Sequence, residues 1–440
     1  MGYMRIRGRF PIALTLALTL LSARAVLAQF PLGPEMALSR PASPGAVNEV
    51  AVAEDGSFVA VWASVTGPPR ASDVFYRLFG PDGRPRGFEL TVANQGRGQQ
   101  SSPQIAMAKD GSFVITWAVD VQGRGGVGIN RVYARRFDRS GRPRGGPFPV
   151  TVAPTLGPNG RDGQDFPGVA IAPDGRIVVF WTNDTGRQAE DGADFFDLKA
   201  RWFADDGHSL GDPFGVATRY FEAELGRARF DRDGTLVVAF QGHNGESSFF
   251  DVYLQRFDTQ GAPRGEAVRI NNDPETVPGS QLEPDFAFGA DGSLFVVWTD
   301  RAADSVRHPD QRLHEPDSEG VVAQRVAASF EPLGPPVVVN RFFLGAQERP
   351  AVATTSDGGF FVVWQSGGGQ DGSGSGVFGR RFDATGTAVS RELTMAVQRT
   401  NDQQGPRIAL NAHGRGVIAW TTFDPHQNKV VGAFGRLFGP

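Results

Sequence analysis

Residues 167–181 read Pro-Gly-Val-Ala-Ile-Ala-Pro-Asp-Gly-Arg-Ile-Val-Val-Phe-Trp. One apolar run closes on Asp174-Gly175, a second opens at Ile177, and Trp181 stands seven positions after the aspartate. Asp-Gly between two apolar runs is the strongest short-range hairpin signal, because both turn positions tolerate positive φ. The phrase recurs as Asp55-Gly56 to Trp62, Asp110-Gly111 to Trp117, Asp233-Gly234 to Phe240, Asp291-Gly292 to Trp298 and Asp357-Gly358 to Trp364. A seventh copy has His413-Gly414 leading to Trp420. Copies start 55 to 66 residues apart, and a repeat of that length is one supersecondary unit.

Each copy predicts four strands. The first precedes the Asp-Gly and the second follows it. A third has the pattern of Val132 to Phe137, Val252 to Phe257 and Val377 to Phe382. An Asp-x-x-Gly turn, as at Asp138 to Gly141, leads to a short fourth such as Phe148 to Val152. Strands two and three are apolar on both sides, whereas a sheet solvated on one face would alternate. Blades stacked between neighbours need that pattern.

The chain ends predict how the array closes. The seventh copy stops after its third strand, Phe434 to Phe438, while Leu32 to Leu38 is a surplus turn and strand at the other end. Together they make one blade, with Glu35 to Leu38 as its fourth strand, and no edge is left open. The expected fold is all-β: a seven-bladed β-propeller of four-stranded antiparallel blades, closed by an N-terminal strand completing the last blade.

Outside the repeats, residues 1–28 have the pattern of a secretory leader. Arg5, Arg7 and Arg9 precede an uncharged run from Phe10 to Leu21, and Val26-Leu27-Ala28 offers a cleavage site. The expectation is a secreted or periplasmic protein with one propeller domain over 29–440, without a membrane span, and monomeric. With no cysteine, stability must come from burial, and the chain is long enough for a large core. Loss of the leader removes four arginines and no acid, so net charge moves from −4 to −8. That balance argues against nucleic acid and anionic membrane surfaces as partners.

The sixth copy, QERPAVATTSDGGFFVVWQSGGGQDGSGSGVFGRRFDATG from Gln347 to Gly386, resembles a repeat of large secreted bacterial proteins that often stands beside RTX-type calcium-binding modules. The resemblance implies export and a β-repeat array, and it transfers no functional residue. The Gly-Gly-x-Gly-x-Asp nonapeptide of RTX modules does not occur in this chain.

Both hairpin turns of each copy should lie on one face, and the variable loops between strands two and three on the other. Specificity is expected on that loop face, near the central channel. The longest loop, Thr299 to Gly320, carries Asp300, Asp304, His308, Asp310 and His314. Such groups suit a divalent cation, calcium included, although their spacing matches no metal motif and a solvated acidic loop is the plainer reading. Gln100, Gln164, Gln281, Gln347 and Gln403 each stand three residues before a proline. They would ring the channel mouth as ligand-binding amides, or bond backbone as structural ones. Asp120, Asp184, Asp300 and Asp424 follow the strand-two aromatic by two to four residues and form either a carboxylate ring or turn caps.

No Ser-His-Asp signature, phosphate loop or sialidase repeat is present. Of the tyrosines after the leader, only Tyr220 lies outside the strand-three pattern. The expected function is therefore a non-enzymatic binding or scaffold module for a polysaccharide or an envelope or extracellular protein, with no cofactor. The alternative is a carbohydrate-active hydrolase or lyase that uses a pair of those aspartates.

Overall fold

The computed structural model describes residues 32–439, except 42–43, 68–70, 94–97, 123–127, 152–162, 189–193, 218–221, 244–248, 272–278 and 302–318. The expected leader lies outside them. Seven four-stranded antiparallel blades surround a central channel, the seven-bladed β-propeller that the repeats predict. Blades 1 to 6 span 46–91, 99–149, 164–217, 222–269, 281–338 and 347–394. No helix among the described residues is long and apolar enough to cross a membrane.

The hairpin between the first two strands differs from expectation in one respect. Gly56 takes φ +84°, whereas Asp55 stays in the ordinary region. Gly56 N donates to Ala53 O at 3.0 Å, and Ser57 N donates to Asp55 Oδ1 at 2.9 Å. The turn is a type I turn followed by a left-handed glycine. Aspartate is there as an acceptor for the residue two positions on, a local capping role, and not for positive φ.

Second strands are buried over most of their length, and Leu294–Asp300 and Phe360–Ser366 over all of it. Trp62, Trp117, Trp181, Trp298, Trp364 and Trp420 are at most 2% exposed. The core is a ring of inter-blade layers. Val59, Val61 and Tyr76 of blade 1, for example, pack with Phe113, Ile115 and Trp117 of blade 2.

Blade 7 is made from both chain ends. Asp402–Leu410, Gly416–Asp424 and Lys429–Phe438 are joined by the N-terminal strand Leu32–Ala37. Glu35 lies opposite Arg436, Met36 opposite Gly435 and Ala37 opposite Phe434. Leu38, fully buried, then packs with Val50, Phe58 and Trp62 of blade 1 and Val417 of blade 7.

Candidate functional site: the channel mouth on the loop face

The inner strand of every blade slips register at the same place, as between Leu282 and Asp285 or between Glu348 and Ala351. In five blades a proline sits in the slip. Proline has no N–H for the ladder and favours such a bulge. The residue before it is thrown into the left-handed region: Ser102 (φ 52°), Phe166 (48°), Glu283 (55°), Arg349 (54°) and Gly405 (58°). For a residue with a side chain that conformation costs about 1–2 kcal/mol, so the surroundings must hold it. At three of the five the preceding blade does so with a side-chain oxygen, whereas Phe166 N donates to Asp165 Oδ1 of its own strand at 2.8 Å. Gln241 Oε1 accepts from Glu283 N at 2.7 Å, Thr299 Oγ1 from Arg349 N at 3.1 Å and Gln365 Oε1 from Gly405 N at 3.0 Å.

One step past the slip, each inner strand turns a residue into the channel at one level: Glu49, Gln104, Gly168, Arg227, Asp285, Ala351 and Arg407. Gly168 is required there, because a Cβ would fall 1.9 Å from the Phe180 ring. Across the channel Arg227 Nη1 donates to Glu49 Oε2 and to Gln104 Oε1, both at 2.9 Å. Asp285 takes Arg229 Nη1 at 2.6 Å and Val352 N at 3.1 Å, which ties blade 5 to blades 4 and 6. Two residues further on, the level holds Arg229 and six alanines: Ala51, Ala106, Ala170, Ala287, Ala353 and Ala409.

These charges divide the channel. On the turn side is a cavity of about 850 Å³. On the loop side is a cup of about 380 Å³, within the range of about 300–1,000 Å³ common for small-molecule sites. Ser102, Phe166, Glu283, Arg349 and Gly405 line the cup wall, with Arg227, Arg407 and Gln104 at its base. Phe166 is 46% exposed. Glu283 Oε2 accepts from Thr299 Oγ1 at 3.2 Å and from Arg349 N at 3.0 Å.

Burial alone would weaken the hold of Arg227 on its proton, but Glu49, with Asp285 and Glu283, outweighs it and raises the pKa. Arg407 is lowered, first by burial and then by the neighbouring Arg227 charge. Behind the wall, burial pushes the Glu348 carboxyl up, and the Glu283 and Glu319 charges add to it against Arg349. Asp165 is likewise raised by burial, against the Phe166 N–H bond, with Asp120 adding repulsion.

The sequence-selected residues lie elsewhere. All five glutamines are buried, at 0 to 6% exposure, and none lines the cup. Gln347 Oε1 accepts from Trp364 Nε1 at 3.1 Å, and its amide donates to Leu344 O and Gly345 O. Each glutamine stands 17 residues before its tryptophan, and in blade 4, where Phe240 replaces the indole, the place is Ala223. Gln347→Ala is expected to cost about 1–3 kcal/mol by orphaning the indole and loop carbonyls. A denaturant melt checks it, and an unchanged midpoint would refute the clamp.

Asp120 and Asp184 lie within the second strands of blades 2 and 3, Asp300 and Asp424 end those of blades 5 and 7, and none is among the cup-lining residues. Asp184 and Asp300 are buried, and Asp424 caps a turn by accepting from His426 N and Gln427 N. Of the candidate metal ligands, Asp304, His308, Asp310 and His314 lie outside the described residues, as does Tyr220. Among the described residues no group of three or more acidic or histidine side chains is placed to hold a metal ion.

No model of a known protein family matches the chain, and no curated protein matches it in sequence. Solved structures do resemble it in shape. A polysaccharide lyase of family PL25, an ulvan lyase bound to -[GlcA(1-4)Rha3S]-, aligns over 92% of this chain and 96% of its own at 12% identity and TM-score 0.56. The α-L-arabinanase of Penicillium chrysogenum, complexed with arabinobiose, aligns over 77% and 93% at 13% identity and TM-score 0.50. A Dyadobacter fermentans protein of unknown function aligns over 79% and 96% at 12% identity and TM-score 0.52. Likeness at this identity is likeness of fold. The expectation of a non-enzymatic binding or scaffold module is nevertheless corrected in favour of its alternative, because two of these neighbours are a polysaccharide lyase and an arabinanase.

What sequence reading missed is the pre-proline residue. Its signal was present: glutamine and proline recur, while the position before proline changes from Ser to Phe, Glu, Arg and Gly. A variable position in a constant frame is where the blades differ in chemistry.

Proposed function

We propose that this protein is an exported carbohydrate-active enzyme, a hydrolase or lyase that cleaves a polysaccharide in the loop-face cup. The observation that carries the reading is the strained pre-proline set, which places an exposed ring, Phe166, and a carboxylate, Glu283, in one cup above two guanidiniums. An aromatic face suits the apolar face of a sugar ring. Glu283 is the group we assign to proton transfer, as acid or base at the scissile bond. Its bonds from Thr299 and Arg349 N fix one oxygen and leave the other facing Arg349 Nε at 3.6 Å. The shape likeness to carbohydrate-active propellers supports the same reading. The leader pattern of residues 1–28 supports export to the periplasm or medium, where polysaccharide is met.

The test is a screen of the chain from residue 29 onward against neutral and acidic polysaccharides. New reducing ends report hydrolysis, and an ultraviolet-absorbing unsaturated end reports elimination. Glu283→Gln is expected to lower kcat about a hundredfold at an unchanged melting temperature. Cleavage of no polysaccharide, or a fully active Glu283→Gln, overturns the reading.

A further inference from the structure

The base of the cup carries more positive charge than its own carboxylates neutralise. Asp285 is engaged from below by Arg229, at 2.6 Å. That leaves Glu49 to serve two guanidiniums, with Oε2 at 2.9 Å from Arg227 Nη1 and 3.7 Å from Arg407 Nε. The hydrogen bonds of Arg407 go to neutral carbonyls, from Nε to Asn48 O at 2.8 Å and from Nη1 to Pro406 O at 2.9 Å. Its Nη2 has no partner among the described residues, and the residue lines the cup. On the wall, Arg349 is matched by Glu283. Two guanidiniums sharing one carboxylate in a narrow channel leave a partly desolvated cation, which a second anion would stabilise.

We propose that Arg407, with Arg227, is an anion subsite that seats the carboxylate or sulfate group of an acidic saccharide unit, so that the polysaccharide taken by the cup is an acidic one. The inference rests on the carbohydrate reading above and names its substrate class. A planar guanidinium edge accepts a carboxylate or sulfate by paired N–H donors. Phe166 belongs to blade 3 and Arg407 to blade 7, so the ring platform and the anion subsite lie in different sectors of one cup. A sugar ring stacked on the first can direct its acidic substituent, or that of its neighbour, down to the second.

Titration calorimetry on the chain from residue 29 tests this with three oligosaccharide sets: uronic-acid, sulfate-ester and neutral. Wild type is expected to prefer one acidic set, with affinity falling as salt rises, and which set is preferred separates carboxylate from sulfate. Arg407→Gln should weaken that set about tenfold to a hundredfold and leave neutral sugars unchanged, while Arg407→Lys keeps part of the preference. Should Arg407→Gln fail to fold, free glucuronate and inorganic sulfate must compete with the acidic set on wild type. Equal binding of acidic and neutral sets, full acidic affinity in a folded Arg407→Gln, or no competition overturns the subsite. Acidic glycans bound but never cleaved would sink the enzymatic reading and leave the subsite standing. Neutral glycans cleaved in preference would do the reverse.

Discussion

Deletion of residues 29–40 is expected to turn a soluble, cooperatively melting protein into one that aggregates and melts far lower. The N-terminal strand Leu32–Ala37 is the outer strand of blade 7, so its loss uncovers the edge of Lys429–Phe438. Backbone and side-chain bonds go with it, including Leu38 N to Ala433 O at 2.8 Å, Arg436 Nε to Gly33 O at 2.8 Å and Ala433 N to Ser39 Oγ at 2.9 Å. Glu35 Oε2 also accepts from Val397 N at 2.6 Å, a tie to the segment entering blade 7. Removing Leu38 alone takes a fully buried leucine from the layer between blades 7 and 1, worth about 2–5 kcal/mol. With the lost bonds the total is on the order of 5 kcal/mol or more, against about 5–15 kcal/mol for a whole fold. The exposed edge supplies the route to aggregation. Calorimetry and gel filtration check both. A control deletion of equal length within 302–318 removes no described strand residue. If the N-terminal deletion melts with wild type and stays monodisperse, closure by this strand is not what holds the ring.

Asp285→Ala is expected to cost about 1–3 kcal/mol, the usual penalty for leaving the partners of a buried acceptor unsatisfied, since the arginine it pairs with is 37% exposed and can be rehydrated. Asp285 is 4% exposed and joins three blades through Arg229 Nη1, Val352 N and its own strand. Its removal leaves Arg229 without its carboxylate in the alanine-lined level of the channel and uncaps Val352 N. Urea melts of wild type, Asp285→Ala and the double variant with Arg229→Ala give the coupling. A single-variant loss below about 1 kcal/mol, the range of exposed pairs, would show the channel to be well solvated.

The same carboxylate predicts a pH dependence. Burial by itself would raise its pKa, but the Arg229 and Arg227 charges and the hydrogen bonds from Arg229 and Val352 prevail and hold it below the ordinary carboxylate value. A depressed folded-state pKa gives stability that is complete above the unfolded value, about 4, and fades as pH falls through the folded value. The turn aspartates Asp55, Asp110 and Asp291 are held low as well, chiefly by the serine two residues on. Wild type should therefore lose stability on acidification below about pH 4, and Asp285→Asn should show a shallower acid limb in pH-dependent melts.

The architecture was legible in the residues because its determinants are local. Asp-Gly turns, doubly apolar second strands and a spare strand at one end specify the unit, its number and its closure without reference to distant contacts. The aspartate's part in the turn was misread, since glycine alone supplies the positive φ. The site was not legible in the same way. Gln-x-x-Pro was visible as a frame, but side-chain direction along a strand follows a period of two, and each bulge shifts that period at the point where the strand meets the channel. The shift buries Gln347 against Trp364 and turns Arg349 into the cup. Arg227 meets Glu49 across 178 residues of sequence, and Arg407 meets it across a longer span. Strand order and turn chemistry were thus determined by the sequence alone. Which residues face one another in the channel, and hence where charge and cup lie, was decided only when the ring closed and brought seven bulged strands to a common axis.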